Sequence, residues 1–298
     1  MVIGVDVGGT KIAGAVVARD SSLRASLTVA TPVAGAQLVA TVADLVGRLR
    51  AESGEEILAV GIGLPSLIDS HTGRVQMSAN IDLADIDVRA ELRERLGIPV
   101  VLENDANVAA LAEHRVGAGR EHGDIVMLTV GTGVGGGVIV AEKIFRGGSG
   151  TGAELGHMVV QADGPRCQRN CPNRGCLETM CSGTAIARDA GMSAEQVVDL
   201  ARQGDATALA VLDRAGRYLG VGLSSLANIF NPDAFVIGGG VGAAGDLLLG
   251  PATDEYRSSA LPPNARARVV LAALGPRAGA IGAGLFAWDL VEQGHVAK

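Results

Sequence analysis

Two short apolar runs open the chain, residues 2–7 and 12–17, with Gly8-Gly9-Thr10 between them. Such runs on either side of a glycine turn predict a β-hairpin. Residues 37–50 carry apolar positions at helical spacing, 57–62 read as a strand, and 98–102 as a strand leading into a helix at 106–116. The hairpin pattern then recurs as 125–130, a glycine turn and 138–140. A loop-rich stretch fills 147–175. Helical patterns cover 177–190, 193–203 and 206–229, a strand at 234–237 ends in Gly238-Gly239-Gly240, and 278–293 reads as a closing helix. Strands interleaved with helices predict an α/β fold.

The hairpins lie about 120 residues apart, a distance that suits a duplicated domain and not a solenoid. Chance recurrence among 43 glycines is the alternative. A duplication places the boundary near 105–120. The chain of 298 residues is long enough for two domains, and 48% hydrophobic content is ample for two cores. With one Trp, two Tyr and four Phe, those cores must be mostly aliphatic.

Lys and Arg number 25 against 32 Asp and Glu, a net charge of −7, which argues against a nucleic-acid footprint. The uncharged stretch 125–141 carries glycines at 131, 133, 135, 136 and 137 and falls short of a membrane span of roughly 20 apolar residues. Asp6 arrives before any apolar run of leader length, so a soluble cytoplasmic protein is expected.

Asp6-Val7-Gly8-Gly9-Thr10-Lys11 sets a carboxylate at a strand end beside a turn whose N–H groups lack side-chain cover. A polyphosphate needs such donors and its magnesium needs an oxygen ligand, although an ordinary tight hairpin explains the same residues. No Gly-Lys dipeptide occurs, which excludes a P-loop. Gly131, Gly133 and Gly136 satisfy G-x-G-x-x-G, but another strand follows where a dinucleotide fold requires a helix. Two glycine hairpins facing each other would clamp phosphates from both sides.

All four cysteines lie between 167 and 181. His157, Cys167, Cys171 and Cys176 form a closed zinc set of one imidazole and three thiolates, the pattern of a structural site. Cys181 could replace His157, but it falls within a helical pattern and fits better as a small buried hydrophobe. Asp105, in Glu103-Asn104-Asp105-Ala106-Asn107, stands between a strand and a helix. That place by default suits an N-cap, and it also suits a general base taking a proton from a sugar hydroxyl.

Together with Ala153-Glu154-Leu155-Gly156-His157-Met158 and Cys171-Pro172-Asn173-Arg174-Gly175-Cys176-Leu177-Glu178, these motifs resemble the ROK family (repressors, open reading frames, kinases) over nearly the whole chain. The pattern is most similar to the branch that phosphorylates glucose with ATP. The resemblance implies an actin-like ATPase fold, two ribonuclease-H-like domains around a cleft with a zinc-binding loop. The domains would be 1–115, rejoined by a C-terminal helix at 278–298, and 116–277. It implies Asp105 as the base towards a hexose 6-hydroxyl, and sugar contacts from Asn80, Asn104, Asp105, Glu154, His157 and Glu178. It further implies ATP–Mg²⁺ contacts from Asp6, Gly8, Gly9, Thr10, Lys11, Gly131, Thr132, Gly133, Gly239 and Gly240. Zinc on one ring nitrogen of His157 would leave the other for a sugar hydroxyl.

Three departures stand out. Two extra residues separate Cys167 from Cys171, and Pro172 replaces a glycine. Ala153 occupies the usual second glycine position before Glu154, and Ala141-Glu142-Lys143 replaces a glycine-containing turn. None removes a chemical group. The expected activity is phosphorylation of glucose to glucose 6-phosphate. Mannose, fructose, aminoglucose and the N-acetylhexosamines are alternatives, and a homodimer or homotetramer is the expected assembly. A sugar-responsive repressor fits less well, because five residues ahead of Asp6 leave no room for a helix-turn-helix.

Overall fold

The computed structural model describes residues 1–32, 34–69, 72–78, 83, 86–168 and 171–294. Its elements run in chain order as β1 (Val2–Val7), β2 (Lys11–Val17), β3 (Leu23–Ala30), α1 (Gly35–Ser53), β4 (Val60–Leu64), β5 (Ser66–Ile68), β6 (Val75–Ser78), α2 (Val88–Leu96), β7 (Val100–Asn104) and α3 (Asp105–Val116). Then follow β8 (Ile125–Val130), β9 (Val134–Val140), β10 (Lys143–Ile144), α4 (Leu177–Cys181), α5 (Gly183–Ala190), α6 (Ala194–Arg202) and α7 (Ala206–Phe230). The last are β11 (Ala234–Gly238), α8 (Asp246–Ser259), β12 (Arg268–Leu271) and α9 (Ala278–Glu292).

The chain divides into two compact units. The first holds Met1–Gly117, Lys143–Ala153 and Pro276–Lys298, the second Ala118–Glu142 and Glu154–Gly275. In the first, the sheet order is β3-β2-β1-β4-β7, with β1–β2 and β2–β3 antiparallel and β1–β4 and β4–β7 parallel. In the second, β9-β8-β11-β12 repeats the pattern: an antiparallel hairpin, then two parallel strands. The recurrence of the hairpin in the sequence thus extends to the topology around it.

Alternation along β1 sorts its side chains between two faces. Ile3, Val5 and Val7 join Leu38, Leu45 and Leu49 of α1 in one core, whereas Val2 packs with Ala280 and Ala287 of α9. Helix α9 presses so closely on its face that a Cβ at Gly4 would lie 1.9 Å from Ala280 O, and one at Gly61 1.8 Å from Ala283 O. Gly282 of α9 meets α3 equally closely, at Val108 O. Asp6 shares the α9 face, and a Cβ at Gly279 would stand 2.3 Å from its carboxyl carbon. One carboxylate therefore sits among small apolar residues at the end of β1.

One domain boundary differs from the sequence reading. Residues 143–153, assigned there to the C-terminal domain, pack with the first unit. Arg146 explains it: its Nε donates to Glu103 Oε2 at 2.6 Å, and its guanidinium lies 5.2 Å from the centre of the Phe286 ring. Strand positions shift as well. The expected 57–62 strand is Val60–Leu64, in register with Val100–Asn104, and the second hairpin's return strand starts at Val134, running through Gly135, Gly136 and Gly137. Among the described residues, no helix is long and apolar enough to cross a membrane.

Candidate active site and metal site

In the first unit, the parallel register aligns Asp6 with Gly63, and Gly63 with Glu103. Asp6 at the end of β1, and Asn104 and Asp105 at the end of β7, thus flank β4 at the C-terminal edge of the parallel strands, the usual place for ligand sites in α/β sheets. Gly63 keeps the space between them open. A Cβ there would meet Asp105 Cα at 3.4 Å and Asp6 Oδ1 at 3.8 Å, with Val108 nearer still at 2.8 Å.

The cap of α3 is Asn104, whose Oδ1 accepts from Ala106 N at 2.9 Å and Asn107 N at 3.1 Å. The N-cap reading of Asp105 is therefore corrected: Asp105 is the first residue of the helix, and one of its oxygens accepts from Ala106 N at 2.9 Å. Both residue types cap helices well, so the sequence offered no basis for choosing. Beneath them Glu103, 4% exposed, accepts from Asn104 N at 2.9 Å and Asn107 Nδ2 at 3.0 Å and is paired with Arg146. This bracing of the strand end has no sequence signal on the Arg146 side, which lies 43 residues away.

Burial raises the pKa of Asp105 above the usual carboxylate range, against the pull of its backbone hydrogen bonds. Asp6 is pushed to about 7, first by burial, then by the Asp105 charge, with Lys11 opposing. A carboxyl whose folded pKa exceeds its unfolded value costs stability as pH rises through that interval. The loss starts near the unfolded value, 3.8, and is complete above about 7. Asp6→Asn should therefore raise the unfolding free energy at pH 7.5 in metal- and nucleotide-free buffer by on the order of 2 kcal/mol, seen as a higher Tm, and change it little at pH 4. Equal Tm for the two proteins at pH 7.5 would remove the buried-charge argument. The turn beyond Asp6 closes through Gly8 N to Lys11 O at 2.9 Å, and Thr31 Oγ1 donates to Gly8 O at 2.7 Å. Gly9, Thr10 and Lys11 are exposed there.

In the second unit, the glycines at 131–133 and 239–240 meet at the ends of β8 and β11, whose register pairs Thr129 with Gly238. Gly239 has φ +86°, and a Cβ on it would lie 2.3 Å from Val130 O. Position and conformation both exclude a side chain there. The two glycine turns consequently lie side by side.

The turn Leu155–His157 is seated on β9 by glycines. A Cβ at Gly156 would be 1.9 Å from Val134 O, and one at Gly136 2.6 Å from Leu155 Cγ. Ala153 just before it has φ +65°, and Glu142 in the earlier turn also has φ +65°. The family's missing glycines thus fall at left-handed positions, each costing this chain about 1 kcal/mol.

His157, Cys167, Cys171 and Cys176 converge, with all four ligand atoms within 4.8 Å of one another. Cys171 Sγ lies 3.9 Å from Cys176 Sγ, close to the ~3.8 Å that Zn–S bonds of ~2.3 Å set in a tetrahedron. The donor set and spacing fit zinc. His157 turns Nδ1 to the cluster, 3.5 Å from Cys167 Sγ, and Nε2 towards Glu154 Oε2 at 4.0 Å. The inserted loop is tied by Cys167 N to Asn173 O and Gly175 N to Pro165 O. Cys181 lies apart, fully buried and donating to Leu177 O at 3.3 Å. Glu178 follows on α4, its Oε2 accepting from Val134 N at 2.9 Å. Asn80 lies outside the described residues.

The chain belongs to the ROK family, whose description matches residues 2–289. It is 39% identical to the glucokinase of Thermotoga maritima over 87% of this chain and 88% of that one. The glucokinase of Streptomyces coelicolor is 36% identical over 95% of this chain and 96% of its own. Among solved structures, the ROK family glucokinase of Streptomyces griseus in complex with glucose and AMPPNP matches with a TM-score of 0.84. It is 36% identical and covers 97% of this chain and 99% of that one. The fold is the α/β fold of ROK sugar kinases.

Proposed function

We propose that the protein transfers the γ-phosphoryl group of ATP to the 6-hydroxyl of a hexose, with glucose as the preferred substrate. The observation that carries this reading is Asp105: a desolvated carboxylate relieved of capping by Asn104, braced from below by Glu103 and placed beside Asp6. Asp105 accepts the 6-hydroxyl proton as the sugar oxygen bonds to the γ-phosphorus and the bond to the β–γ bridging oxygen breaks, releasing ADP. Asn104, Glu154, His157 and Glu178 hold the sugar hydroxyls, and Asn80 completes the set. Gly9, Thr10, Lys11, Thr132 and Gly133 receive the phosphates on backbone N–H groups and the Lys11 ammonium, Gly8 and Gly131 close the two turns with their own N–H groups, and Gly239 and Gly240 lie against the adenosine. Asp6 is the ligand, direct or through water, for the Mg²⁺ that neutralises phosphate charge.

The actin-like architecture, a zinc ion on His157, Cys167, Cys171 and Cys176, a cytoplasmic setting and a homodimeric or homotetrameric assembly belong to the same proposal. Convergence of the four ligand atoms supports the zinc. Sites that read hydroxyls discriminate strongly between sugars, so a kinetic panel is informative. Glucose, mannose, fructose, glucosamine, N-acetylglucosamine and N-acetylmannosamine are compared with Mg–ATP as relative kcat/KM. Glucose should exceed every other sugar at least tenfold, about what one net hydrogen bond supplies. An N-acetylhexosamine exceeding glucose would replace this substrate with the alternative.

A further inference from the structure

The turn expected to receive nucleotide phosphates, residues 131–134, has few tethers of its own: Gly131 N bonds to Gly133 O at 2.9 Å and closes it. It is held from outside by one short segment. Glu178 Oε2 accepts from Val134 N at 2.9 Å, Gly183 N donates to Gly131 O at 2.7 Å, and Thr184 Oγ1 donates to Thr132 O at 2.7 Å. Three bonds from residues 178–184 thus fix three of the turn's four residues, 131, 132 and 134. The segment is itself rigid: Ser182 Oγ caps α5 by accepting from Ala185 N, and Thr179 Oγ1 donates to Cys176 O.

We propose that Thr184 and Glu178 are positioning residues for this turn, and that Glu178 thereby links sugar binding to nucleotide binding. The inference rests on the functional reading above, which gives the turn to ATP and Glu178 to the sugar. Thr184 holds the Thr132 carbonyl, which steers the adjoining peptide N–H groups towards the phosphates. Glu178 has two oxygens, and with Oε2 on Val134 N, Oε1 remains for a sugar hydroxyl. A sugar that orders this carboxylate also orders Val134, so each ligand should tighten the other by the same factor.

Gly133 supplies a clean probe. The three atoms nearest to a Cβ there all belong to the Glu178 side chain, with Oε2 at 2.3 Å. Gly133→Ala therefore pushes the flexible end of Glu178 away without striking backbone. Thr184→Val removes one hydroxyl and keeps the shape, and Thr184→Ser restores the hydroxyl.

The test measures Kd for AMPPNP–Mg²⁺ and for glucose by titration calorimetry, each alone and in the presence of the other, with Tm as a folding check. Thr184→Val should weaken AMPPNP about fivefold, the loss of one hydrogen bond, with glucose Kd within twofold and Thr184→Ser near wild type. Gly133→Ala should weaken both ligands and abolish the mutual tightening seen in wild type. Unchanged AMPPNP affinity in Thr184→Val, or a glucose Kd in Gly133→Ala equal to wild type, would overturn the inference. Failure of wild type to bind AMPPNP at all would instead overturn the assignment of ATP.

Discussion

Replacing Asp105 by Asn should lower kcat by roughly 10²–10⁴-fold, the usual cost of losing a general base, with glucose Kd within about threefold of wild type. The fold should survive, because α3 is capped by Asn104 and the amide oxygen can still accept from Ala106 N. Removing a carboxylate whose pKa is raised by burial should also leave Tm equal or higher at neutral pH. Steady-state kinetics with a separate glucose titration checks this. A variant retaining more than about a tenth of wild-type kcat would take the base role away from Asp105.

Loss of metal should have the second-largest effect. Cys171→Ser is expected to drop bound zinc to near zero by elemental analysis and to weaken glucose at least tenfold, the lower end of what disturbed supports of a zinc-held His produce. Judged by sequence separation, the nucleotide turn should be spared. The hydrogen bonds argue otherwise. Cys176 adjoins α4, and α4 carries the Glu178 that holds Val134, so AMPPNP should weaken too, by a smaller factor. Cys181→Ala, outside the cluster, should keep full metal and near-normal KM. Zinc retained in the Cys171 variant and lost in the Cys181 variant would mean that the ligand set is wrong.

Much of this arrangement is visible in the sequence where chemistry and spacing coincide. The four candidate metal ligands, the two glycine hairpins and the Glu103-Asn104-Asp105 junction are all local patterns, and the structure brings Cys167, Cys171, Cys176 and His157 to one point. Elements were missed where the apolar signal is thin. Helix α2 buries only Val88 and Leu92 in a run of charged residues, and α8 carries Pro251 inside it, which reads as a break. Edge strand β3, by contrast, was legible: Leu23, Ala25, Leu27 and Val29 alternate with exposed Arg24, Ser26 and Thr28 in the two-residue rhythm of a half-buried strand. The glycines in β9 read as a turn because their reason is tertiary: Leu155 packs where a Cβ of Gly136 would stand.

The site's supports are similarly remote. Arg146 reaches Glu103 across 43 positions, and Glu178 reaches Val134 across 44, through contacts that no periodicity encodes. The cap expected at Asp105 is Asn104, one residue earlier, and both residue types are favourable there. Only the folded structure separates the capping residue from the carboxylate beside it.

The central claim is phosphoryl transfer from ATP to the 6-hydroxyl, and the most direct measurement follows both products on the purified chain. ADP and sugar phosphate are quantified with Mg–ATP and either glucose or 6-deoxyglucose. Glucose should give ADP and glucose 6-phosphate in equal amounts, while 6-deoxyglucose, lacking the acceptor oxygen, should give no sugar phosphate. Absence of glucose 6-phosphate from active-folded protein, or sugar phosphate formed from 6-deoxyglucose, would contradict the account.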